Sequence, residues 1–419
     1  MALTNVSEIK IPHHFLIIFL LIMFIVSSPL CANAMVLPGI DVLEAGKFEI
    51  LQGKRVGLIT NHTGRSRDGR SSIDILFRAP GVRLVALFSP EHGIRGTEDD
   101  KLSSSIDRTT GLPVHSLYGT TCRPTPEMLS GVDILLFDIQ DIGTRFYTYI
   151  GTLSLAMQSA GTAGIPFVVL DRPNPIGGIA VAGALPSKNL PGKTSGCGAI
   201  TSIHPIPTRH GMTVGELARL FKGEFGISCS LVVVPMQGWS RNMLLDDTGL
   251  KWINPSPNMK SLDAALLYPG LGILETTSLS VGRGTERPFQ SYGAPWVNPT
   301  ALLDNLSRRT IPGLSFTGHS FTPTATGHSH RGKTCYGVKA SVTDWEKLDP
   351  ITAGMHLLQA FYETHPERFR STSGFATEIG DEEAWGLLTE RRLTPGKVAG
   401  RWEAGLEKFR KLRESYLIY

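Results

Sequence analysis

The sequence is short of the features that commit a chain to a common chemistry. No G-x-G-x-x-G follows the first expected strand and no P-loop occurs anywhere, so a dinucleotide has no obvious seat. No G-x-S-x-G is present and Ser89 has no nucleophile-elbow context, which leaves an esterase or amidase reading without its nucleophile. The 5 cysteines include no C-x-x-C pair, which argues against a thiolate metal site. Charge of one sign is also scarce. Lys and Arg total 41 against 37 Asp and Glu, a formal balance of +4 over 419 residues, with no dense basic run. Nucleic acid is therefore not an expected partner.

What is present describes a globular protein with material for a sizeable core: 41% hydrophobic and 19% charged residues. The front end stands apart. Lys10 precedes an uncharged apolar run, Phe15 to Val26, followed by Ala32-Asn33-Ala34. A positive region, an apolar core and an A-x-A site make a secretory signal peptide over 1–34. The run falls short of the roughly 20 apolar residues of a membrane span. The expectation is a periplasmic or secreted chain starting near Met35, with no stable membrane anchor once the signal is cleaved. Without Cys31, four cysteines remain: Cys122, Cys197, Cys229 and Cys335. In an exported protein they could pair or stay free.

From Lys54 the pattern alternates strand and helix. Expected strands are Arg55–Thr60, Val82–Phe88, Pro113–Tyr118, Val132–Phe137, Pro166–Leu170 and Ser230–Val234. Expected helices between them are Ser72–Ala79, Tyr147–Ala160 and Thr213–Gly223, the last opened by Thr213 and Glu216 as a capping box. Near-continuous apolar strands in such units imply a parallel sheet with helices on both faces. The fold class expected is α/β: a Rossmann-like parallel-sheet domain over 35–262, then a smaller α+β domain over 263–419. Trp252–Gly272 and Ser278–Pro295 are dense in Gly, Pro and Ser and read as a long crossing segment. Beyond it, 299–307, 351–365, 382–389 and 395–412 read as helices, and 313–322 and 333–342 as strands.

Each major strand of the first domain ends in a polar turn: Thr60-Asn61-His62-Thr63, Ser89-Pro90-Glu91-His92-Gly93, Asp138-Ile139-Gln140-Asp141 with Arg145, and Asp171-Arg172-Pro173-Asn174. Pro90 ends strand pairing and Gly93 lets the backbone turn. In open α/β sheets that edge is where ligands bind, and acids, amides and guanidinium groups suit a polyhydroxylated substrate. Asp138 and Asp141 admit a paired acid/base set, a metal site, or a loop cap with a partner for Arg145. The cap and ion-pair reading is favoured for Asp138. Metal binding by Asp138, Asp141 and His92 has no diagnostic spacing, and no metal or cofactor is expected. Arg209 and His210 precede the capped helix, where an anion could meet its N-terminus or His210 could simply pack. Phe146, Tyr147 and Tyr149 read first as core. Glu275, Arg283 and Thr285 cluster around Gly282 and Gly284, with Arg283 a candidate carboxylate clamp against a plain surface turn. His319, His328 and His330 read as a solvated strand end.

In order, Ser89-Pro90-Glu91-His92-Gly93, Asp138-Ile139-Gln140-Asp141, Arg145-Phe146-Tyr147-Thr148-Tyr149, Asp171-Arg172-Pro173-Asn174-Pro175, Arg209-His210-Gly211-Met212-Thr213, Ser256-Pro257-Asn258, Tyr268-Pro269-Gly270 and Gly282-Arg283-Gly284-Thr285 span nearly all the chain after the signal. Together they resemble the exo-β-N-acetylmuramidases once grouped as a domain of unknown function. The resemblance implies release of N-acetylmuramic acid from the non-reducing end of peptidoglycan fragments. It implies Glu91 as leading catalytic acid, with His92, Asp141 and Glu275 beside it. Asn61, Asp138, Arg145, Asp171, Asn174, Arg209, His210, Arg283 and Thr285 are then expected to bind substrate. One departure is visible: Val181-Ala182-Gly183 has Ala where the family pattern places a Glu. Glycoside hydrolysis uses two carboxyls, one protonated and one ionised, and either Asp141 or Glu275 could partner Glu91. The alternative is a non-catalytic periplasmic binder of muropeptides.

Overall fold

A computed structural model of the chain describes residues 35–94, 105–187, 190, 200–390 and 393–419. The expected signal over 1–34, with Cys31, and also Cys197 lie outside these residues. Seven strands form the main sheet: β1 Arg55–Thr60, β2 Arg83–Ser89, β3 Ser105–Ile106, β4 Pro113–Ser116, β5 Ile134–Asp138, β6 Phe167–Leu170 and β7 Leu231–Val234. Their order is β3-β4-β2-β1-β5-β6-β7, parallel except for the β3–β4 pair. Without β3 this is the strand order of the classic dinucleotide-binding sheet. All residues of β5 and β6 are buried, which is why they read as unbroken apolar runs.

Helices α1 Gly39–Ala45 and α2 Ser72–Arg78 cover one face. Their layer buries Ile40, Leu58, Leu76 and Leu136. Helices α3 Thr148–Ala163 and α4 Val214–Glu224 cover the other, and Thr213 with Glu216 closes the expected capping box on α4. On that second face Phe137, Leu153 and Leu217 belong to a core continuous with Leu267, Val338 and Leu358 of the C-terminal domain.

The smaller domain is built on a three-stranded antiparallel sheet, β8 Ser291–Ala294, β9 Leu314–Phe321 and β10 Cys335–Val342, in the order β8-β10-β9. Around it lie α5 Leu262–Leu271, α6 Pro299–Ser307, α7 Pro350–Thr364, α8 Phe375–Ile379, α9 Ala384–Thr389, α10 Pro395–Gly400 and α11 Glu403–Glu414. Helix α5 and strand β8 fall inside the stretches expected to be a long ordered crossing segment. Residues 264–271 of α5 are all buried, so no polar stripe marks its period, and Pro269 with Gly270 mimics a loop. Those residues have a packing reason. A Cβ on Gly270 would lie 1.6 Å from Pro350 O, and one on Gly354 2.3 Å from Gly270 O. The two helices touch backbone to backbone there, and the short 3-10 turn Gly272–Thr276 that carries Glu275 follows directly on α5. The single helix expected over 395–412 is two, α10 and α11, with Trp402 between them donating its indole N–H to Asp381 at 2.8 Å.

Cys122 is disulfide-bonded, whereas Cys229 and Cys335 carry free thiols. No described helix is long and apolar enough to cross a membrane.

Candidate active site

Strand β2 delivers the chain to Pro90, which cannot donate to the ladder, and Glu91–Ile94 turns away from the sheet. His92 sits at φ 69°, a left-handed conformation that a non-glycine residue holds only when its surroundings impose it. Glu91 and His92 wall a hollow of about 790 Å³ between the two domains. The opposite wall comes from the turn after α5 and the segment before β8, with Glu275, Arg283 and Phe289. Phe289 is also left-handed, at φ 58°. Tyr147, Tyr268 and Ser256 line the hollow too, and Glu378 joins them from α8.

The electrostatics are polarised. Arg283 donates from Nε and Nη2 to the two oxygens of Glu275, the second bond at 2.8 Å, and its guanidinium lies 4.9 Å over the Phe289 ring. His328 Nδ1 is 3.2 Å from the same carboxylate. Burial opposes ionisation of Glu275, but the Arg283 charge and the His328 contact outweigh it and hold the carboxyl at about 2. Asp141 is the reverse case. It is 4% exposed, and its Oδ2 accepts from Gly143 N–H at 2.7 Å while Oδ1 has no hydrogen bond among the described residues. Burial pushes it up to about 7. The Asp141 and Glu91 charges both act on Tyr147, whose hydroxyl lies beside Ser256 without completing a hydrogen bond. Asp141 therefore stands behind the wall and is not part of the lining.

Of the residues expected to bind substrate, Arg283 alone faces this hollow, and its Nε/Nη2 fork is already closed on Glu275. The other eight form the framework. Arg145, 1% exposed, donates to Ser202 and to three backbone carbonyls: Ala184 at 2.5 Å, Ile206 at 3.1 Å and Glu378 at 2.5 Å. Burial lowers it to about 10, so it stays cationic at neutral pH, satisfied by carbonyl dipoles rather than a ligand. Asp138 is in an ion pair, but with Arg172 at 2.5 Å and not with the expected Arg145, and it also accepts from Ser72. This pair lies at the ends of β1 and β5, the edge where a dinucleotide would sit in the classic sheet. Asp171 accepts from Thr213, from Gly215 N–H and from the Tyr419 hydroxyl. Asn174 folds its own turn, accepting from Ile176 N–H at 3.2 Å and donating to Met212 O at 3.0 Å. Asn61 Nδ2 donates to Tyr149 Oη at 3.0 Å. Arg209 donates to Ile176 O, and His210, fully buried and pushed down to about 3 by burial and nearby arginines, accepts from Met212 N–H. Thr285 likewise closes its own turn onto Gly282 O at 2.6 Å.

Sequence reasoning missed Glu378 and Phe289 and gave Tyr147 to the core. Glu378 accepts from Thr201 at 3.2 Å and Ser202 at 3.4 Å, and no local pattern marks it. His328 serves Glu275 and not a solvated strand end.

The model of the exo-β-N-acetylmuramidase NamZ N-terminal domain matches residues 56–263, and that of its C-terminal domain matches 266–419. The chain belongs to the NamZ family. It is 44% identical over 386 residues to the peptidoglycan β-N-acetylmuramidase NamZ of Bacillus subtilis (strain 168), covering 91% of each chain. Two crystal structures of DUF1343 family proteins from Bacteroides fragilis share the NamZ architecture seen here. One is 38% identical with a TM-score of 0.82, the other 30% identical with a TM-score of 0.72, each covering 92% of this chain and 99% of its own.

Proposed function

We propose that the chain is an exo-acting glycoside hydrolase that releases N-acetylmuramic acid from the non-reducing end of peptidoglycan fragments. The observation that carries this reading is the interdomain hollow, sugar-sized and polarised, with Glu91 opposite the Glu275–Arg283 pair. Family membership supports it. Glu91 is the acid that protonates the departing glycosidic oxygen. Glu275, held ionised, stabilises the positive charge that develops at the anomeric carbon. Arg283 keeps Nη1 unbonded among the described residues, and this edge answers the lactyl carboxylate of the muramic sugar. Tyr268 and Phe289, their rings 4.7 Å apart and perpendicular, supply apolar wall for the sugar faces. An A-x-A signal and a cell-wall substrate fit together: the chain is exported to the periplasm or medium, where its substrate lies.

The test is a purified chain starting at Met35 incubated with a chromogenic β-N-acetylmuramide. The native chain releases the chromophore. Glu91→Gln lowers turnover by about 100-fold or more, the usual scale for a general acid, and keeps substrate binding. Full turnover by Glu91→Gln overturns the assignment, and binding without release by the native chain favours the non-catalytic binder.

A further inference from the structure

An exo-acting site holds one sugar before the scissile bond, so the rest of the glycan must lie beyond the first hollow. A second and larger hollow, about 1260 Å³, opens at the ends of β1 and β5. The two share a thin wall. Pro255 faces the second hollow and Ser256 the first. That wall is held in place from three sides. His62 Nε2 lies 2.7 Å from Asn254 O, the Trp252 indole donates to Asn254 Oδ1 at 3.1 Å, and Tyr149 Oη donates to Pro255 O at 2.5 Å.

The second hollow is basic. Arg65, Arg67, Arg172 and Lys251 line it. Arg172 is neutralised by Asp138, and the carboxylate of Asp68 at the rim is taken by Arg70 at 2.7 Å. Arg65 and Arg67 make no ion pair among the described residues. Lys251 makes none either and is exposed. The Arg65 guanidinium is spent on the His62 and Gly69 carbonyls, both at 2.9 Å, which leaves Arg67 and Lys251 around a half-buried indole. They fit one chemistry: a sugar that stacks on the ring, bearing carboxylates that meet the cations.

We infer that this hollow receives the reducing-side remainder of the glycan and binds the free carboxylates of its stem peptide. The inference rests on the muramidase reading and adds to it where the leaving portion sits. It makes the chain a selector of peptide-bearing glycan over bare sugar.

The test compares three substrates: the chromogenic muramide, a muramic-acid-capped tetrasaccharide without peptide, and the same tetrasaccharide with a stem peptide on its inner muramic sugar. Charge-assisted bonds of this kind correspond to about tenfold or more in affinity. Lys251→Ala is expected to raise KM for the peptide-bearing tetrasaccharide by about that factor, with kcat unchanged. Trp252→Ala is expected to raise KM for both tetrasaccharides. Lys251→Ala leaves the chromogenic muramide unaltered, and added salt erodes the native preference for the peptide-bearing substrate. Variants that treat all three substrates alike, or native kinetics indifferent to the peptide, overturn the inference while leaving the muramidase reading intact. A native chain that releases nothing from any of the three fails at the earlier reading, and the inference falls with it.

Discussion

At the scale of single residues, two carboxyls are set apart by their surroundings. Glu275 is held at about 2 because Arg283 and His328 outweigh its burial, so it remains an anion at any working pH. Among the described residues no cation offsets the burial of Asp141, which rises to about 7 from an ordinary 3.8. The unfolded chain therefore loses this proton near pH 4, whereas the folded chain keeps it until about 7. Stability from the protonated group is complete below the unfolded value and is lost as pH rises through about 7. Asp141→Asn keeps an acceptor for Gly143 N–H and cannot ionise. Melting temperatures from about pH 4 to about pH 8 are expected to fall less steeply in Asp141→Asn than in the native chain, with the variant the more stable above pH 7. Identical slopes would show that Asp141 is ionised throughout.

Elements bring these residues together through contacts between backbones. Glu275 reaches the hollow because α5 and α7 cross where Gly270 and Gly354 remove both side chains. Gly354→Ala places a methyl against Gly270 O and forces the helices apart. Overpacking of this kind costs about 1–3 kcal/mol. The expected outcome is a lower urea midpoint together with reduced kcat, since the turn bearing Glu275 moves with α5. A loss of stability with unchanged kcat would show that the crossing does not position the turn. Arg145 works at the same scale, tying the loop before α3 to carbonyls at Ala184, Ile206 and Glu378.

Across the whole molecule the two domains share one apolar core. Their apolar cores are continuous from Phe137 to Leu358. The C-terminus also returns to the first domain, with Arg413 donating to Gly178 and Gly211 carbonyls and Tyr419 Oη 2.8 Å from Asp171. Calorimetry is expected to show a single transition for the chain. Tyr419→Phe removes a hydrogen bond from a buried carboxyl that also supports α4, and costs about 1–3 kcal/mol. Both domains are expected to shift together; two separating transitions would show that the contact across the domains is weak.

Local pattern was enough for the α/β alternation, the capping box on α4, the strands that lead to Glu91 and Asp138, and the family itself, because periodicity, caps and short motifs are properties of neighbours in the chain. It was not enough to sort the polar turns. Glu91 and Asp171 both follow buried strands, yet one borders the hollow and the other is consumed by Thr213, Gly215 and Tyr419. Glu378 escaped notice for the same reason: its place in the hollow depends on α8 meeting residues nearly two hundred positions earlier. Whether a charged side chain binds substrate or fills the interior is decided by which distant partners reach it first. A buried charge must be satisfied by something, and only the tertiary fold determines whether that something is the protein itself or a ligand.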